Sequence, residues 1–372
     1  MIHYVAYYST KDSDRIANYA GEDKVDYICE SLIALGYDVR IVSNAKSRKK
    51  FLPTENIELD TGAHLRIFAS LPYINVLIHA FDVLWGYLQL IAYILFNVKN
   101  EDTVIVYHSL GYRNVFSLIR KFKKFRYVLE VEELFQYIDA SKSSFKKNED
   151  IVFKVPDGFM FSNEILAQRV NKGQKPQVVI NGIYKNTKKL VKKNIHNMVD
   201  IVYAGTLEKQ KGVDYVIQTA PFLPISYRMH IIGFGSNQDI ERITHLIEEV
   251  NNENNCQVTY DGLFKGDEYI RFLQGCNVGV CIQEEADDFN KYEYPSKIFS
   301  YLSNGLTVVV NNLEQVVNSS VVEKLIVVEG TEPEKISAAI VKAGSKKVCA
   351  EDVLRSLDKQ FKDDMRQLLS KI

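Results

Sequence analysis

Two lysines beside a glycine turn form the first group of residues whose types and spacing could carry chemistry. A predicted strand ends at Gly205 and Thr206, the turn holds Lys209 and Lys211, and a helix is predicted to begin at Gly212. The backbone N–H groups of such a turn, together with an ammonium group, can hold a phosphate. The alternative is an ordinary strand-to-helix loop with solvated lysines.

A second glycine turn follows the next predicted strand. Gly233 and Gly235 lie in the sequence IIGFGS, where the absence of a Cβ lets the backbone approach a ligand closely. The third glycine of the dinucleotide-binding fingerprint is absent. The pattern therefore predicts a ligand-binding turn that is not of the dinucleotide type.

A third pattern joins a helix start to a buried strand. Pro295 precedes Ser296 and Lys297, Gly305 ends the predicted helix, and an apolar run follows. Proline is typical of a helix N-terminus, whose free N–H groups carry partial positive charge. This block, like the first turn, predicts groups that attract an anion.

These patterns lie within an alternation of short apolar runs and helical segments. In the first half the predicted strands are 2–8, 38–43, 103–107, 126–131, 158–162 and 177–180, and the predicted helices are 24–35, 115–122 and 164–170. In the second half the predicted strands are 200–203, 226–232, 257–260, 278–282, 306–310 and 325–328, and the predicted helices are 212–219, 238–250, 267–273, 296–303 and 333–343. Such alternation is typical of parallel sheets with helices on both faces.

The sequence predicts an α/β protein with two doubly wound, Rossmann-like domains. Its 372 residues suit two domains, and residues 185–197, with five lysines and no carboxylate, are the predicted linker. The predicted domains are 1–185 and 198–350, and a last helix within 351–372 is expected to pack back across them. Ligands bind at the carboxyl ends of the strands in such sheets, so we expect the chemistry in a cleft that both domains face.

Composition argues against several classes of protein. The 46 Lys and Arg nearly balance the 47 Asp and Glu, whereas a nucleic-acid binder is normally strongly basic. The five cysteines are scattered without a C-x-x-C pair, so neither a disulfide framework nor a zinc site is indicated. The N-terminus lacks the basic flank and cleavage site of a signal peptide. A cytoplasmic setting is the expectation.

One long apolar segment and two basic clusters raise the question of a membrane. Residues 71–98 contain no Lys or Arg and a single carboxylate, Asp82; their scattered polar residues favour a mostly buried or interface-lying helix over a span. Residues 120–126 hold five cations and two aromatic side chains, and residues 46–51 form a second basic cluster. Basic clusters beside an apolar helix suit a peripheral enzyme on anionic lipid, and a solvated face is the alternative.

Taken together, the three turn patterns resemble the nucleotide-sugar half of GT-B-fold retaining glycosyltransferases of family four, among them enzymes of bacterial surface polysaccharide synthesis. The shared features are a strand-A-G-x-L turn, a K-G-x-D helix start, an I-x-G-x-G turn and a P-S-K block. The sequence VINGI at 179–183 resembles the stretch that closes the first domain of the family. The resemblance covers most of the chain.

The resemblance implies a role for each matching residue. The implied donor-binding residues are Gly205, Thr206, Lys209, Lys211, Gly233, Gly235, Gly262, Leu263, Pro295, Ser296, Lys297 and Ser300. The implied acceptor-binding residues are Arg15, Asn18, Gly21 and His108. The implied catalytic residues are His108, Lys211 and Glu293.

Three of these assignments carry most of the expected chemistry. Lys211 matches the lysine that holds the donor diphosphate, and Gly262 with Leu263 matches the turn that contacts the base. Thr206 stands where the family has an arginine, a charge that Lys209 is expected to supply. For the residues of the first half, the alternatives are a solvated loop around Arg15 and a structural histidine at position 108.

The E-x7-E motif of the family is altered in this chain. Its second glutamate is Ser300, and its first position is Tyr292, one residue before Glu293. Glu284, Glu285 and Glu293 are the candidates for the missing first carboxylate. Ser300 can offer a ribose hydroxyl one neutral hydrogen bond, which is weaker than a bond to a carboxylate.

The resemblance implies transfer of a sugar from a UDP- or GDP-sugar to a lipid-linked or saccharide acceptor with retention, in capsule, exopolysaccharide or O-antigen synthesis. The resemblance implies that the reaction needs no metal. The nucleotide-sugar is a substrate and not a cofactor. The expected location is the cytoplasm, with peripheral attachment to the inner face of the cell membrane through the basic clusters. Nucleic acid is not an expected partner, and the oligomeric state is open. The alternatives are a non-catalytic GT-B partner subunit and another GT-B enzyme, such as a nucleotide-sugar epimerase or a phosphorylase.

Overall fold

The chain folds into two units, each with its own β-sheet. The computed structural model describes residues 1–10, 13–16, 19–107, 112–134, 149, 151–191, 198–252, 255–284, 294–346 and 350–372. Unit 1 consists of Met1–Ser162, Leu166–Ile180 and Lys359–Ile372, and unit 2 consists of Asn163–Ile165 and Asn181–Asp358. The change of unit at Ile180 and Asn181 comes slightly before the predicted end of the first domain at residue 185.

Unit 1 is built on an eight-stranded sheet. Its strands are β1 (Ile2–Ala6), β2 (Val39–Ser43), β3 (Glu55–Glu58), β4 (His64–Ile67), β5 (Thr103–Tyr107), β6 (Arg126–Val131), β7 (Gly158–Phe161) and β8 (Gln177–Val179), in the order β3-β4-β2-β1-β5-β6-β7-β8. The central strand β1 is buried along its whole length, as expected for a parallel strand that helices cover on both faces. The predicted doubly wound architecture is confirmed for this half.

The edge of this sheet differs from the purely parallel prediction. β3 runs antiparallel to β4, and neither strand is part of the predicted alternation. Only a short turn joins them, closed by a hydrogen bond from Leu59 N to Ala63 O (2.9 Å). A parallel pair would need a crossover of a dozen residues or so, which this turn is too short to supply.

Within the described residues of the first half, four helices have defined bounds. They are α1 (Tyr19–Ala34), α2 (Val76–Asn97), α3 (Arg113–Ile119) and α4 (Glu164–Val170). Helix α1 buries Val25, Ile28 and Leu32 at helical spacing, and the chain leaves it through Gly36 at a φ of 89°. Helix α2 is mostly exposed, so of the two environments left open by the sequence the mostly buried one is wrong, and interface-lying stays a prediction. Within the described residues it alone has the length and composition of a membrane span.

Unit 2 is built on a six-stranded parallel sheet. Its strands are β9 (Val199–Thr206), β10 (Tyr227–Phe234), β11 (Gln257–Gly262), β12 (Val278–Cys281), β13 (Thr307–Asn311) and β14 (Ile326–Val328), in the order β11-β10-β9-β12-β13-β14. The helices are α5 (Val213–Ile217), α6 (Asn237–Asn251), α7 (Gly266–Gly275), α8 (Lys297–Ser303), α9 (Glu314–Val317) and α10 (Pro333–Gly344). Apolar side chains of these strands and helices form one core, which fixes the carboxyl ends of β9, β10 and β12 relative to one another.

Part of the predicted linker is bonded to unit 2, and the last helix belongs to both units. The main-chain N–H groups of Leu190 and Val191 donate to Gln274 Oε1 at 2.8 and 3.2 Å, so this part of the linker is fixed to unit 2. The last helix, α11 (Glu351–Lys371), changes from unit 2 to unit 1 between Asp358 and Lys359. In unit 1 the ring of Phe361 stacks on Tyr27 with centroids 5.6 Å apart.

Candidate functional site

The carboxyl ends of β9 and β10 bring two of the predicted glycine turns side by side. Gly205 lies opposite Gly233, and Thr206 lies opposite Phe234. Gly233 has a φ of 142°, and a Cβ at this position would overlap the carbonyl oxygen of Gly205. Glycine is therefore required here for a steric reason, because the two turns pack directly against each other at the end of the central strand.

A buried tyrosine, which the sequence analysis missed, holds the first turn in shape. The Tyr203 hydroxyl lies 2.7 Å from the carbonyl oxygen of Thr206 and 3.1 Å from that of Lys211. Burial raises the pKa of Tyr203 well above its usual range, so the hydroxyl stays protonated as a donor. The turn continues through a single 3-10 turn, Lys209–Lys211, which leaves the side chain of Lys211 half-buried and that of Lys209 exposed.

Lys297 joins this turn from helix α8. Its Nζ lies 3.8 Å from the centroid of the Tyr203 ring, at a distance typical of a cation–π contact. A Cβ at Gly205 would overlap the Lys297 side chain, which therefore passes directly across the end of β9. The structure thus gathers the first and third sequence patterns around one aromatic ring.

A second tyrosine fixes the helix that carries Lys297. Tyr301 is one helical turn further along α8, on the same face. Its hydroxyl accepts a hydrogen bond from the N–H of Ala204 at 2.8 Å, and its ring fills the space beside Gly279 in β12. Because Tyr301 is fully buried, α8 has little freedom to rotate, and Lys297 is held over the turn.

An arginine lies beside the turn even though Thr206 replaces the expected one. Arg242 in α6 forms an ion pair with Asp214 and donates to the carbonyl oxygen of Leu207. Its charge is compensated by Asp214, so Arg242 acts mainly to hold the turn. Nothing in the sequence near the turn points to this residue, because it lies on a different helix.

An apolar surface borders the second glycine turn. Phe234 at the end of β10 is 57% exposed, and Leu263, directly after β11, is 48% exposed. The Tyr260 hydroxyl donates to the carbonyl oxygen of Gly233 at 3.1 Å, which joins the ends of these two strands. Gly262 turns the chain at a φ of 81° before Leu263. The sequence analysis named Leu263 but missed Phe234.

The residue at the second position of the altered E-x7-E motif is engaged within unit 2. Ser300 Oγ lies 3.0 Å from the hydroxyl of Tyr269, and burial raises the pKa of that tyrosine. Helix α8 begins at Lys297, and Pro295 is buried while Ser296 is exposed. With seven residues, α8 is a short helix.

The candidates for the first carboxylate are only partly described. Glu284 Oε1 accepts a hydrogen bond of 3.4 Å from the hydroxyl of Tyr215. Glu285 and Glu293 lie outside the described residues, as do His108 and Asn18 of the first half. The roles assigned to these four residues stay predictions.

The structure gives Arg15 a different environment from the one expected for an acceptor-binding residue. Arg15 is 1% exposed, and its guanidinium donates to the carbonyl oxygens of Ala45 (2.8 Å) and Phe68 (3.0 Å) and pairs with Glu55 at 3.3 Å. These contacts connect three loops of unit 1. Gly21 lies in the first turn of α1. The described part of the chain brings no group of three or more His, Cys, Asp and Glu side chains together as a metal site.

Solved structures resemble the chain over nearly its whole length, although no protein-family model and no curated protein sequence matches it. Sucrose-phosphate synthase from Thermosynechococcus elongatus is 15% identical with a TM-score of 0.71, over 99% of this chain and 97% of that one. The E. coli trehalose-6-phosphate structure bound with UDP-2-fluoro glucose is 13% identical with a TM-score of 0.69, over 100% and 99%. HepE from Anabaena in complex with UDP is 10% identical with a TM-score of 0.64, over the full length of both chains.

These likenesses establish the fold. The similar structures are GT-B glycosyltransferases. At identities of 10–15% the similarity does not extend to particular substrates. The chain has the GT-B fold, with two doubly wound α/β domains.

Proposed function

We propose that the chain is a retaining glycosyltransferase that moves a sugar from a UDP- or GDP-sugar to a lipid-linked or saccharide acceptor. The observation that carries this proposal is the arrangement of Lys297, Gly205 and the Lys211 turn around Tyr203. It brings the side chain of Lys297, the turn that carries Lys211 and a glycine together at the carboxyl end of a central parallel strand, which is where phosphate-bearing ligands bind in such sheets. The UDP and UDP-2-fluoro glucose of two similar structures support a nucleotide-sugar donor.

Unit 2 would hold the donor in three parts. Lys211 and Lys297 bind the diphosphate, with Lys297 supplying the charge that Thr206 lacks. The base packs on Phe234 and Leu263, whose exposed apolar surface flanks the second glycine turn. Ser300 offers the ribose one hydrogen bond while keeping its contact to Tyr269.

The catalytic demand is stabilisation of the leaving diphosphate. As the bond between the anomeric carbon and the diphosphate oxygen breaks, its electron pair stays on the diphosphate and negative charge develops there. Lysine ammonium groups and turn N–H groups that are already in place stabilise this charge without reorganisation. Two such cations can serve the role that a metal ion serves in other sugar transferases, so we propose a metal-independent reaction.

The acceptor is assigned to unit 1. His108 and Glu293 are proposed at the reacting sugar, and Asn18 and Gly21 at the acceptor; Arg15, whose guanidinium is engaged, is left out. We place the enzyme in family four, in the synthesis of a bacterial surface polysaccharide, with a lipid-linked acceptor. It would then work in the cytoplasm at the inner face of the cell membrane.

A non-catalytic GT-B partner subunit is the second candidate. It is favoured by the replacement of both glutamates of the E-x7-E motif, at Tyr292 and Ser300, and by the contact that engages Ser300 with Tyr269. Such a subunit would keep the donor site and lose transfer. An epimerase would also bind the nucleotide-sugar, but it would act on that molecule without an acceptor.

Calorimetry with UDP, GDP and their sugars tests the proposal. We expect one nucleotide to bind, and no heat at millimolar concentrations of any of them would remove the basis for a transferase. Single-turnover release of UDP or GDP in the presence of acceptor separates the enzyme from the partner subunit. We expect His108→Ala and Lys211→Ala to abolish transfer and to leave the circular dichroism spectrum unchanged; full transfer by both variants would contradict the site assignment.

A further inference from the structure

Helix α2 of unit 1 carries an uncovered apolar face. Leu77, Phe81, Leu84 and Leu88 are 80%, 59%, 56% and 49% exposed, and the same stripe continues through Leu95. Their spacing of three and four residues, with seven between Leu88 and Leu95, places them on one side of the helix. We call these five residues the α2 stripe. A contiguous row of exposed apolar side chains indicates an interaction surface, whereas single exposed apolar residues are normal on a protein surface.

The opposite face of α2 is tied to unit 1 by polar contacts. Asp82 accepts hydrogen bonds from Leu71 N (2.8 Å) and Ser70 Oγ (3.1 Å), and Gln89 Nε2 donates to the carbonyl oxygen of Ala69 (2.9 Å). Gly86 packs so closely on Asn44 that a Cβ would overlap it. These contacts hold one face of the helix on unit 1 and leave the opposite face outward.

Both ends of α2 are basic. At the first end, Lys46 pairs with Asp82 at 3.0 Å, and a cavity of about 250 Å³ is lined by Lys46 and Arg48 together with Tyr73 and His79 of the α2 region. Lys49, next to Arg48, is exposed. The structure thereby places the basic cluster of residues 46–51 beside the start of the α2 stripe.

The second basic cluster lies at the other end. Lys123 Nζ donates to the carbonyl oxygen of Leu95 at 2.5 Å, which anchors the cluster of residues 120–126 to the last turns of α2. Lys121 and Lys124 are exposed, and Phe122 between them is 78% exposed. An apolar row about 30 Å long, at 1.5 Å per residue, therefore has cations at each end.

We infer that the α2 stripe is a membrane-docking surface that lies flat on an anionic bilayer, with residues 46–51 and 120–126 on the headgroups. This inference deepens the proposed peripheral attachment, on which it rests, by assigning it to one surface. Apolar side chains enter the boundary of the acyl chains while Lys and Arg bind anionic headgroups, as in interfacial helices. A second copy of the chain fits less well, because both ends of α2 are basic and would meet like charge in either orientation.

Vesicle sedimentation with the full-length chain tests this surface. The probes are vesicles of phosphatidylcholine alone and of phosphatidylcholine with about a third phosphatidylglycerol, which carries the anionic charge that the Lys and Arg clusters require. The variant is Phe81→Ser with Leu84→Ser. Its matched control is Phe222→Ser with Ile225→Ser, which removes an exposed Phe and an exposed aliphatic residue (49% and 75%) from unit 2. A charge variant combines Arg48→Ala, Lys49→Ala, Lys121→Ala and Lys124→Ala.

We expect the parent chain and the matched control to bind anionic vesicles, and the stripe variant to bind at least about tenfold less, because it lacks two apolar side chains that would enter the bilayer. The charge variant should lose its preference for anionic over neutral vesicles. Equal binding by the stripe variant would overturn the assignment to α2 while leaving membrane attachment in place. No vesicle binding by the parent chain would overturn the inference altogether. So would a parent chain that is dimeric in sedimentation velocity when the stripe variant is monomeric. Nucleotide calorimetry on the same samples keeps this result separate from the proposed donor site.

Discussion

The carboxyl ends of the two sheets present opposite chemistry on the same architecture. In unit 1, Glu130 near the end of β6 is 1% exposed and accepts a hydrogen bond from Tyr4, and Glu132 pairs with Lys24 at 2.6 Å. In unit 2 the carboxyl ends of the strands carry Lys211, Lys297 and glycine turns. The carboxyl end of the unit 1 sheet thus carries a buried carboxyl group beside a lysine–carboxylate pair, and the carboxyl end of the unit 2 sheet carries two lysines and glycine turns.

This difference indicates which of the two sheets receives an anion at the carboxyl ends of its strands. Burial, and next the charge of Glu132, raise the pKa of Glu130 well above its usual range, and Lys24 at this end of the unit 1 sheet already pairs with Glu132. A diphosphate is therefore expected at the unit 2 edge. The parallel sheet supplies the same framework in both units, and the side chains at its end decide the ligand.

The largest predicted effect comes from removing the space between the two glycine turns of unit 2. Gly233→Ala places a Cβ on the carbonyl oxygen of Gly205 and forces an L-residue to a φ of 142°, so we expect a loss of about 3 kcal/mol or more in the free energy of unfolding. Urea denaturation measures it. Gly275→Ala is the control, because nothing lies within 4 Å of a Cβ there. Equal stability of both variants would contradict the close approach.

Removing a cation from the unit 2 edge should weaken nucleotide binding. Lys297→Ala deletes the proposed charged contact to the diphosphate, and a hydrogen bond to a charged group contributes about 1.5–3 kcal/mol, or roughly 10- to 100-fold in Kd. Calorimetry with the nucleotide that binds measures this. Lys324→Ala, which removes an exposed lysine of unit 2 elsewhere, is expected to change nothing. Similar affinities for the two variants would show that the cations of this edge do not hold the phosphates.

The carboxylates of the unit 1 edge should make stability depend on pH. Because the pKa of Glu130 is higher in the folded chain than in the unfolded chain, the stability that this group contributes is complete at low pH and is lost as the pH rises toward the raised value. Glu130→Gln removes this dependence, so the variant should gain on the parent chain by on the order of 1–2 kcal/mol between about pH 5 and pH 8.5. Urea denaturation at the two pH values checks it. A constant difference would mean that Glu130 titrates normally.

The smallest effect is expected at the altered E-x7-E position. Ser300→Ala removes one neutral hydrogen bond, worth about 0.5–1.5 kcal/mol, and the hydroxyl is already shared with Tyr269. We expect the nucleotide Kd to change only a few-fold. Tyr269→Phe serves as the comparison, because it frees Ser300 without removing its hydroxyl. A loss as large as that of Lys297→Ala would make Ser300 a principal ribose ligand.

Sequence patterns located most elements but not the partners of the site. Buried strands such as β5 and β6 have the predicted bounds, because a continuous apolar run between polar turns is a local property. The strands β3 and β4 were missed, since each has only four residues, too few for their alternation of more and less buried positions to stand out in the sequence. Tyr203, Phe234 and Arg242 were missed because their importance comes from neighbours distant in sequence.

The sequence by itself determined the order of the strands and helices, the glycine turns and the near balance of charge. These features depend on periodicity and turn chemistry, which involve only residues close to each other in the chain. They can therefore be predicted before the fold is known. Only the tertiary structure decided that Lys297 lies over Tyr203 beside the Lys211 turn, that Arg15 is buried in loop contacts, and that both basic clusters flank the exposed face of α2. These placements depend on packing between segments far apart in the chain, which local residue patterns do not encode.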